Sequence, residues 1–550
     1  MNLGGVSMYR YNDTVTAVIY LLIQIKIIQQ ILFNLYLWQL KEYRLDRFSE
    51  HIGRIYPNKF LAFLGLTLLS PIKFPQKSAK AMLIFILNLL FNSVFFLFNS
   101  PFIALLAVLF TPFVFSVSLC LIYPFEKMTR VLIYALASRK IRSFHQKNQL
   151  TIIGITGSYG KSTTKSFINQ ILSLKFNTLA TPKSVNTPLA IALLTLRKLT
   201  KKHRFFIVEM GAYKIGEIKE LCQIVNPQIG IVTGISNQHL ALFGNQENIN
   251  KAKSELLDNL TSGGLAIINK QSAYLPIIPQ EKMLKIIFYE DKKFLEETVL
   301  NPLKKPPKEQ VARVPACRTG REGLPTAGRQ TALSNVPVAF DATSQPRLTV
   351  ARNEVSTGGK ETRDRIWNKN YTKESYINHA PIPDFLKINL EPALILAKLY
   401  NIDDKEIEKK LSNLNLPQKT MQKIKGYGNA TIIDDSYNSS FEGTIAALEY
   451  LQKLKGKKIV VMPCLIELGQ ESLIIHHKIG EKLAKLVDFA VITTADYFTA
   501  IKKGAGESQK IICFPHPKKA IDFLCTIVNE KSIILIEGKV HSSIIKFLIQ

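Results

Sequence analysis

Between residues 154 and 164 the chain reads GITGSYGKSTT, with glycine spacing that ends in lysine, serine and threonine. The β-branched run TIIGIT (151–156) precedes it, and TTKSFINQIL (163–172) follows with apolar residues at helical spacing, so the segment predicts strand, loop, helix. In that setting glycines let the backbone approach a phosphate chain, loop amides and the helix N-terminus bind it, and Lys161 neutralises it. Thr156, Gly157, Ser158, Tyr159, Gly160, Lys161, Ser162 and Thr163 are therefore candidate ATP contacts, and the Ser162 hydroxyl is a candidate ligand for Mg2+. The general P-loop pattern asks for glycine where Ile155 stands; the spacing that fits is TGxxGK[ST], 156–162. Glu209 ends the hydrophobic run FFIVE (205–209), where a hard oxygen ligand can meet Mg2+ at the carboxyl edge of a parallel sheet.

The elements around this loop follow from composition. The chain has 550 residues, a formal net charge of +29 and 47% hydrophobic residues, a high share for a soluble protein. Lysines and arginines are scattered, without an aromatic-studded nucleic-acid motif, so the charge fits an anionic membrane leaflet and no nucleic-acid partner is expected. Cys120, Cys222, Cys317, Cys464, Cys513 and Cys525 are far apart and form no CxxC pair, which fits a reducing compartment and disfavours zinc.

Apolar runs near 15–39, 82–99 and 101–124 approach the ~20 residues that cross a bilayer, and one at 61–72 is too short. Lys41, Arg44, Arg47, Arg54, Lys59, Lys73, Lys77 and Lys80 place the intervening segment in the cytoplasm by the positive-inside rule. Three spans then leave the N-terminus outside and the chain beyond 124 inside. A four-span arrangement with a cytoplasmic N-terminus keeps the C-terminal part inside as well. The expected organisation is a transmembrane region (1–124), a basic linker (125–149), a central ATP-binding domain (150–304 with a return at 371–385), a disordered insertion (305–370) and a C-terminal domain (386–550). The insertion is marked by Arg313, Arg318, Arg321, Arg329, Arg347, Arg352, Arg363 and Arg365 among frequent Pro, Gly, Ser and Thr. After 386, helices give way to alternating strands and helices, which predicts a second α/β domain with a largely parallel sheet.

TGxxGKST resembles the ATP loop of the Mur ligase family, and further motifs recur in the family's order. FFIVEMGAYKIGEI (205–218) resembles a strand ending in Glu-Met-Gly-Ala, NQHLALFGNQENINKAKSEL (237–256) a His-Leu-x-x-Phe-Gly segment followed by Lys-Ala-Lys-x-Glu, IIDDSYNSS (432–440) an Asp-Asp-Ser-Tyr-Asn stretch, and IELGQESLIIHHKIG (466–480) a Glu-Leu-Gly segment with a following His. The match is best with the MurF branch, which adds D-alanyl-D-alanine, and covers about 150–300 and 380–550. It implies a peptidoglycan-precursor ligase that phosphorylates a carboxylate with ATP and lets an amine attack the acyl phosphate.

Several roles rest on the resemblance alone. His239, by residue type a loop histidine, becomes a metal ligand. Lys253, otherwise a helix-surface cation, matches a lysine that is carbamylated to help hold Mg2+. With Lys161 these form the implied catalytic set, and Ser162, Glu209, His239 and Lys253 the metal set. Asn269, ending GGLAIINK (263–270), matches a residue near adenine; Asp435, Tyr437 and Asn438 match nucleotide or amine contacts, where the residues alone read as a polar strand-end turn. Ser184, Asn186 and Thr187, in SVNTPLAIALL (184–194), match a substrate loop and read alone as a loop with a helix N-cap.

The chain also departs from the pattern. PQKTMQ (417–422) lacks the usual arginine, Pro463 and Cys464 replace a Gly-Asp pair, and EGKV (537–540) stands for Lys-Gly-Ser-Arg with only Lys539 as a substitute cation. Membrane spans also occupy the place of the usual nucleotide-sugar-binding domain. The resulting expectation is a multi-pass protein of the bacterial cytoplasmic membrane with its catalytic domains facing the cytoplasm. Its substrates would be a nucleotide- or lipid-linked muramoyl-peptide and D-alanyl-D-alanine or a similar amine. Ligation of another carboxylate, as in folylpolyglutamate synthase or cyanophycin synthetase, and a catalytically silent ATP-binding scaffold remain open alternatives.

Overall fold

The structure, a computed structural model, describes residues 5–40, 72–98, 100–182, 185–236, 240–270, 276, 283–289 and 380–550. The apolar stretch 61–71, the basic segment 41–60 and the 305–370 insertion lie outside the described residues. Two units divide at residue 133.

The first unit is helical: α1 (Gly5–Leu40), α2 (Ala79–Ser93), a 3-10 turn (Val94–Phe98) and α3 (Pro101–Asn148), whose last turns belong to the second unit. Three stretches, Val15–Leu40, Ala79–Phe98 and Pro101–Lys147, are long and apolar enough to cross a membrane. Ile23, Ile27, Ile31 and Leu35 recur every four residues along α1 and pack with Ile84 of α2 and Ala104, Ala107, Val108 and Phe115 of α3. Leu97, Phe102 and Phe113 are instead exposed, at 80%, 71% and 66%. Apolar side chains facing outward as well as inward are what a lipid surround stabilises. Some of the polar groups inside pair with one another: Asn92 Nδ2 donates to Asn88 O (2.8 Å), and Thr111 Oγ1 of α3 donates to Asn92 Oδ1 of α2 (3.1 Å). Residues 125–148, expected as a basic linker, continue α3. Lysine and arginine are good helix formers, so the charge that reads as a linker does not break the helix.

The second unit carries two sheets. The first comprises β1 (Thr151–Thr156), β2 (Thr178–Ala180), β3 (Phe205–Glu209), β4 (Ile229–Val232), β5 (Leu265–Asn269) and β6 (Lys285–Tyr289), all parallel in the order β2-β3-β1-β4-β5-β6. Its connecting helices are α4 (Lys161–Leu172), α5 (Pro188–Lys198), α6 (Glu217–Val225), α7 (Leu240–Phe243) and α8 (Gln246–Asp258). Ile152, Ile153, Ile155, Phe206, Ile207 and Val208 are fully buried because helices cover both faces, which is why these strands read as continuous apolar runs. Phe167, Ile168, Ile171 and Leu172 form the buried stripe of α4.

Next come α9 (Asp384–Lys387), a 3-10 turn (Ile388–Leu390), α10 (Glu391–Leu399) and α11 (Asp404–Ser412). They pack on the first sheet: the Tyr400 ring lies edge-on to Phe205 at 4.7 Å, and Gln170 Nε2 donates to Asn415 O at 2.8 Å. Structurally the segment from 386 to about 415 thus belongs with the central sheet, although its sequence reads as the start of the next domain. The second sheet begins with β7 (Gln422–Lys425), the one antiparallel strand among those described. β8 (Thr431–Asp435), β9 (Lys457–Met462), β10 (Phe489–Ile492), β11 (Ile511–Cys513) and β12 (Ser532–Glu537) complete it in the order β11-β10-β9-β12-β8-β7. Helices α12 (Phe441–Lys453), α13 (Ser472–Leu486), α14 (Phe498–Gly504), α15 (Pro517–Ile527) and α16 (Ser542–Ile549) connect and flank it. In both sheets the carboxyl ends of the strands form an edge where ligands characteristically bind.

Candidate active site

The glycine loop joins β1 to α4 as its sequence predicts. Gly157 has φ +148° and Gly160 φ +77°, and a Cβ on Gly157 would stand 2.2 Å from Thr233 Oγ1. The loop is pinned from β4's C-terminal side: Ser158 N–H donates to Gly234 O (2.6 Å), Ser236 N–H donates to Ser158 Oγ (3.1 Å), and Thr233 Oγ1 donates to Thr156 O (3.2 Å). Lys161, the first residue of α4, folds back so that its Nζ donates to Gly157 O (2.7 Å) and Ser158 O (3.1 Å). Burial pushes its pKa down, and the Glu209 charge opposes that shift. The result is a preformed cradle with a lysine folded over it, the arrangement that binds an anion.

β3 lies beside β1, and its last residue, Glu209, is 3% exposed. Ser162 Oγ donates to Glu209 Oε2 (2.9 Å), and Lys165 Nζ pairs with the same oxygen (2.7 Å). Lys253 comes from α8 and is also 3% exposed; its Nζ donates to Ala212 O (3.4 Å) and lies 5.7 Å from the Phe243 ring centroid. Burial, reinforced by Lys161, pushes the Lys253 amine down to about 7 against the opposing pull of Glu217 and Glu255. Glu255, two residues on, accepts from Gly216 N (2.5 Å) and Lys219 N (2.9 Å), while Glu217 accepts from Tyr213 N (2.7 Å). The segment 211–216 is thereby held against Lys253. Asn186 closes on it, its Nδ2 being 2.8 Å from where a Gly211 Cβ would be.

On the loop's other side, buried Asn269 ends β5 and donates through Nδ2 to Thr233 O (2.5 Å), with Tyr289 Oη donating to the same carbonyl (3.5 Å). Thr187 is the exposed N-cap of α5 and makes no side-chain capping bond. His239 and Ser184 lie outside the described residues. Among the described residues no group of three His, Cys, Asp or Glu could hold a metal.

The second sheet presents its own acidic edge. Asp435 and Glu537 are register partners at the ends of β8 and β12. Asp435 Oδ1 accepts from Met421 N (3.2 Å), and Glu537 Oε1 accepts from Thr444 Oγ1 (3.0 Å). Burial pushes Asp435 up to about 7 and Glu537 well above the usual carboxylate range, each further raised by neighbouring acid. Tyr437 donates its N–H to Lys419 O (3.1 Å), and Asn438 is exposed, as is Lys539. Glu442, in the first turn of α12, faces Ser236 and Tyr159; burial raises its pKa, and burial with Glu442 pushes Tyr159 up to about 12. Through Glu442 the second sheet's helix layer touches the glycine loop.

The sequence reading did not single out Lys165, Thr233, Glu255, Asn389, Glu442 or Glu537. Lys165 was within reach of it, being one helical turn past Ser162 on the same face. Asn389 was not: its Oδ1 accepts from Thr164 Oγ1 (3.4 Å), a contact spanning 225 residues.

Comparison with known proteins matches this architecture domain by domain. The Mur ligase middle domain matches residues 155–322, and the Mur ligase glutamate ligase domain matches 421–540. The chain belongs to the Mur ligase family. It is an ATP-dependent amide-bond-forming ligase of the class that serves peptidoglycan synthesis. Among relatives of this Mur ligase, the UDP-N-acetylmuramoyl-tripeptide–D-alanyl-D-alanine ligase of Buchnera aphidicola (subsp. Baizongia pistaciae) is 25% identical over 366 residues, covering 66% of this chain and 67% of that one. The Mycobacterium leprae enzyme of the same name is 24% identical over 414 residues, covering 72% and 71%. MurF from Acinetobacter baumannii superposes with a TM-score of 0.55 at 22% identity, over 76% of this chain and 80% of that chain. MurF from Thermotoga maritima with ADP superposes at 0.51 and 20%, over 76% and 83%. These superpositions establish the fold shared with the Mur ligase.

Proposed function

We propose that this Mur ligase, anchored by its apolar N-terminal helices with the catalytic domains in the cytoplasm, adds D-alanyl-D-alanine to a muramoyl-peptide through an acyl-phosphate intermediate. The observation that carries the reading is the convergence of Lys161, Ser162, Glu209 and Lys253 at the carboxyl ends of β1 and β3. The donors there fit ATP and Mg2+: a glycine cradle and an ammonium group for phosphate, a hydroxyl and a carboxylate as hard oxygen ligands. Ser162 and Glu209 would hold the ion, with His239 and a carbamylated Lys253 in support. When bound, Mg2+ supplies charge neutralisation for phosphoryl transfer.

In the reaction, a substrate carboxylate oxygen bonds to the γ-phosphorus as the β–γ bridging bond breaks. The donor amine then attacks the acyl carbon and phosphate leaves, with the amine's proton lost to solvent or a nearby base. Lys161 turns from its loop carbonyls to the phosphates, and Thr156 through Thr163 hold the chain in line. Lys253 is fitted for carbamylation because a neutral amine must attack CO2, and burial keeps this amine neutral above about pH 7. Asn186 and Thr187, with Ser184, fall to the acceptor; Asn269 to adenine; Asp435, Tyr437 and Asn438 to the nucleotide or donor. Mass spectrometry of the product from UDP-N-acetylmuramoyl-tripeptide, D-alanyl-D-alanine and ATP tests this. A mass gain of one dipeptide is expected, and gain of a different amino acid would reassign the donor.

The three apolar helices favour a lipid-linked acceptor, because anchoring raises the local concentration of a membrane-borne substrate. Equal use of soluble and lipid-linked acceptors by detergent-purified protein would remove that second reading.

A further inference from the structure

Two lysines stand one helical turn apart at the start of α4, and they do different things. Lys161 reaches back over the glycine loop, whereas Lys165, 6% exposed, is committed to Glu209. The oxygen that Lys165 contacts is the one that accepts the Ser162 hydroxyl. A lysine ammonium therefore already stands at the meeting point of the two hard ligands. Nearest that point one carboxylate, Glu209, stands against the ammonium groups of Lys165 and Lys161; Lys253, close enough to Lys161 to interact with it, has Glu217 and Glu255 on its own side. A divalent cation entering alone would meet a carboxylate that is already neutralised, in a buried setting where charges interact strongly.

We infer that Lys165 is a built-in counter-ion that makes divalent-cation binding conditional on the nucleotide: the site takes the metal with the phosphate chain, whose negative charge the lysines require, and not before it. Lys165 is thus a positioning residue that sets the order of assembly, and this deepens the ligase reading on which it rests. While the nucleotide is absent, Lys165 also holds the buried Glu209 carboxylate in place for the ion it will receive.

The test uses full-length protein in detergent and Mn2+ as the probe, with free Mn2+ read by electron paramagnetic resonance, with and without a non-hydrolysable ATP analogue. Wild type and Lys165→Arg are expected to take up Mn2+ only with the analogue. Lys165→Met and Lys165→Gln are expected to take it up alone, at concentrations about tenfold lower or more than wild type needs without analogue. A gain of metal binding is not what structural damage produces, so the readout separates the role from loss of folding. Wild type that binds Mn2+ equally well with and without the analogue would overturn the inference, as would neutral variants whose uptake still needs nucleotide. Should wild type bind no analogue at all, the ligase reading fails, while the bare Mn2+ comparison between wild type and the neutral variants still decides the role of Lys165. Melting curves show whether each variant is folded; if Lys165→Met is not, Lys165→Gln, which can still hydrogen-bond Glu209, and the wild-type comparison decide.

Discussion

Substituting Gly160 by alanine perturbs the glycine loop at one point whose cost can be worked through. Its φ of +77° lies in the left-handed region, where a Cβ costs about 1–2 kcal/mol. The new Cβ would stand 2.3 Å from Asn389 Oδ1. Asn389 is 6% exposed and accepts from Thr164 Oγ1, so it cannot swing away without giving up a contact, and crowding of this kind costs about 1–3 kcal/mol. The sum, about 2–5 kcal/mol, corresponds to a melting temperature lowered by roughly 5–15 °C, and nucleotide binding should weaken as the loop is displaced from its cradle shape. Differential scanning fluorimetry and titration with a fluorescent ATP analogue measure both. Adding Asn389→Ala should recover the crowding part, about 1–3 kcal/mol, and leave the φ penalty, so the two changes should be non-additive. If Gly160→Ala melts and binds nucleotide as wild type does, the loop is not a tight cradle.

Other consequences are as direct. Lys253→Arg should keep ATP binding and lose ligation, since guanidinium is not carbamylated; wild-type activity should rise as pH passes about 7, where the lysine becomes neutral, and bicarbonate should enhance it. Glu255→Ala removes the acceptor for two backbone N–H groups and should cost about 2–4 kcal/mol by chemical denaturation. Because Asp435 and Glu537 bind protons more tightly folded than unfolded, their contribution to stability is full below the unfolded carboxylate range and is lost as pH rises through about 7 for Asp435 and beyond for Glu537. Glu537→Gln should therefore raise the melting temperature relative to wild type at pH 8 and change it little at pH 4; a larger gain at pH 4 would reverse the sign. After a carbonate wash of membranes the full chain should stay in the pellet, as three apolar helices of this length require.

What the sequence disclosed, and what it did not, follows from the range of each interaction. The strand, loop and helix at 151–172 were legible because glycine spacing, a β-branched run and helical periodicity all act locally. The Glu209 position was legible for the same reason, as the polar end of an apolar strand. The pairing of Lys165 with Glu209 spans 44 residues, and that of Thr444 with Glu537 spans 93, so neither leaves a local signal. The packing of 386–412 against the central sheet leaves no local signal either: sequence order locates an element along the chain, but burial decides which core it joins.

One site is expected to couple ATP cleavage to amide formation. Its most direct test is phosphate release by full-length protein with ATP and Mg2+, measured with each substrate alone and with UDP-N-acetylmuramoyl-tripeptide and D-alanyl-D-alanine together, for wild type and Lys253→Ala. Release should need both substrates and disappear in the variant. Release that ignores the substrates or survives loss of Lys253, or its absence with soluble and lipid-linked acceptors alike, would contradict it.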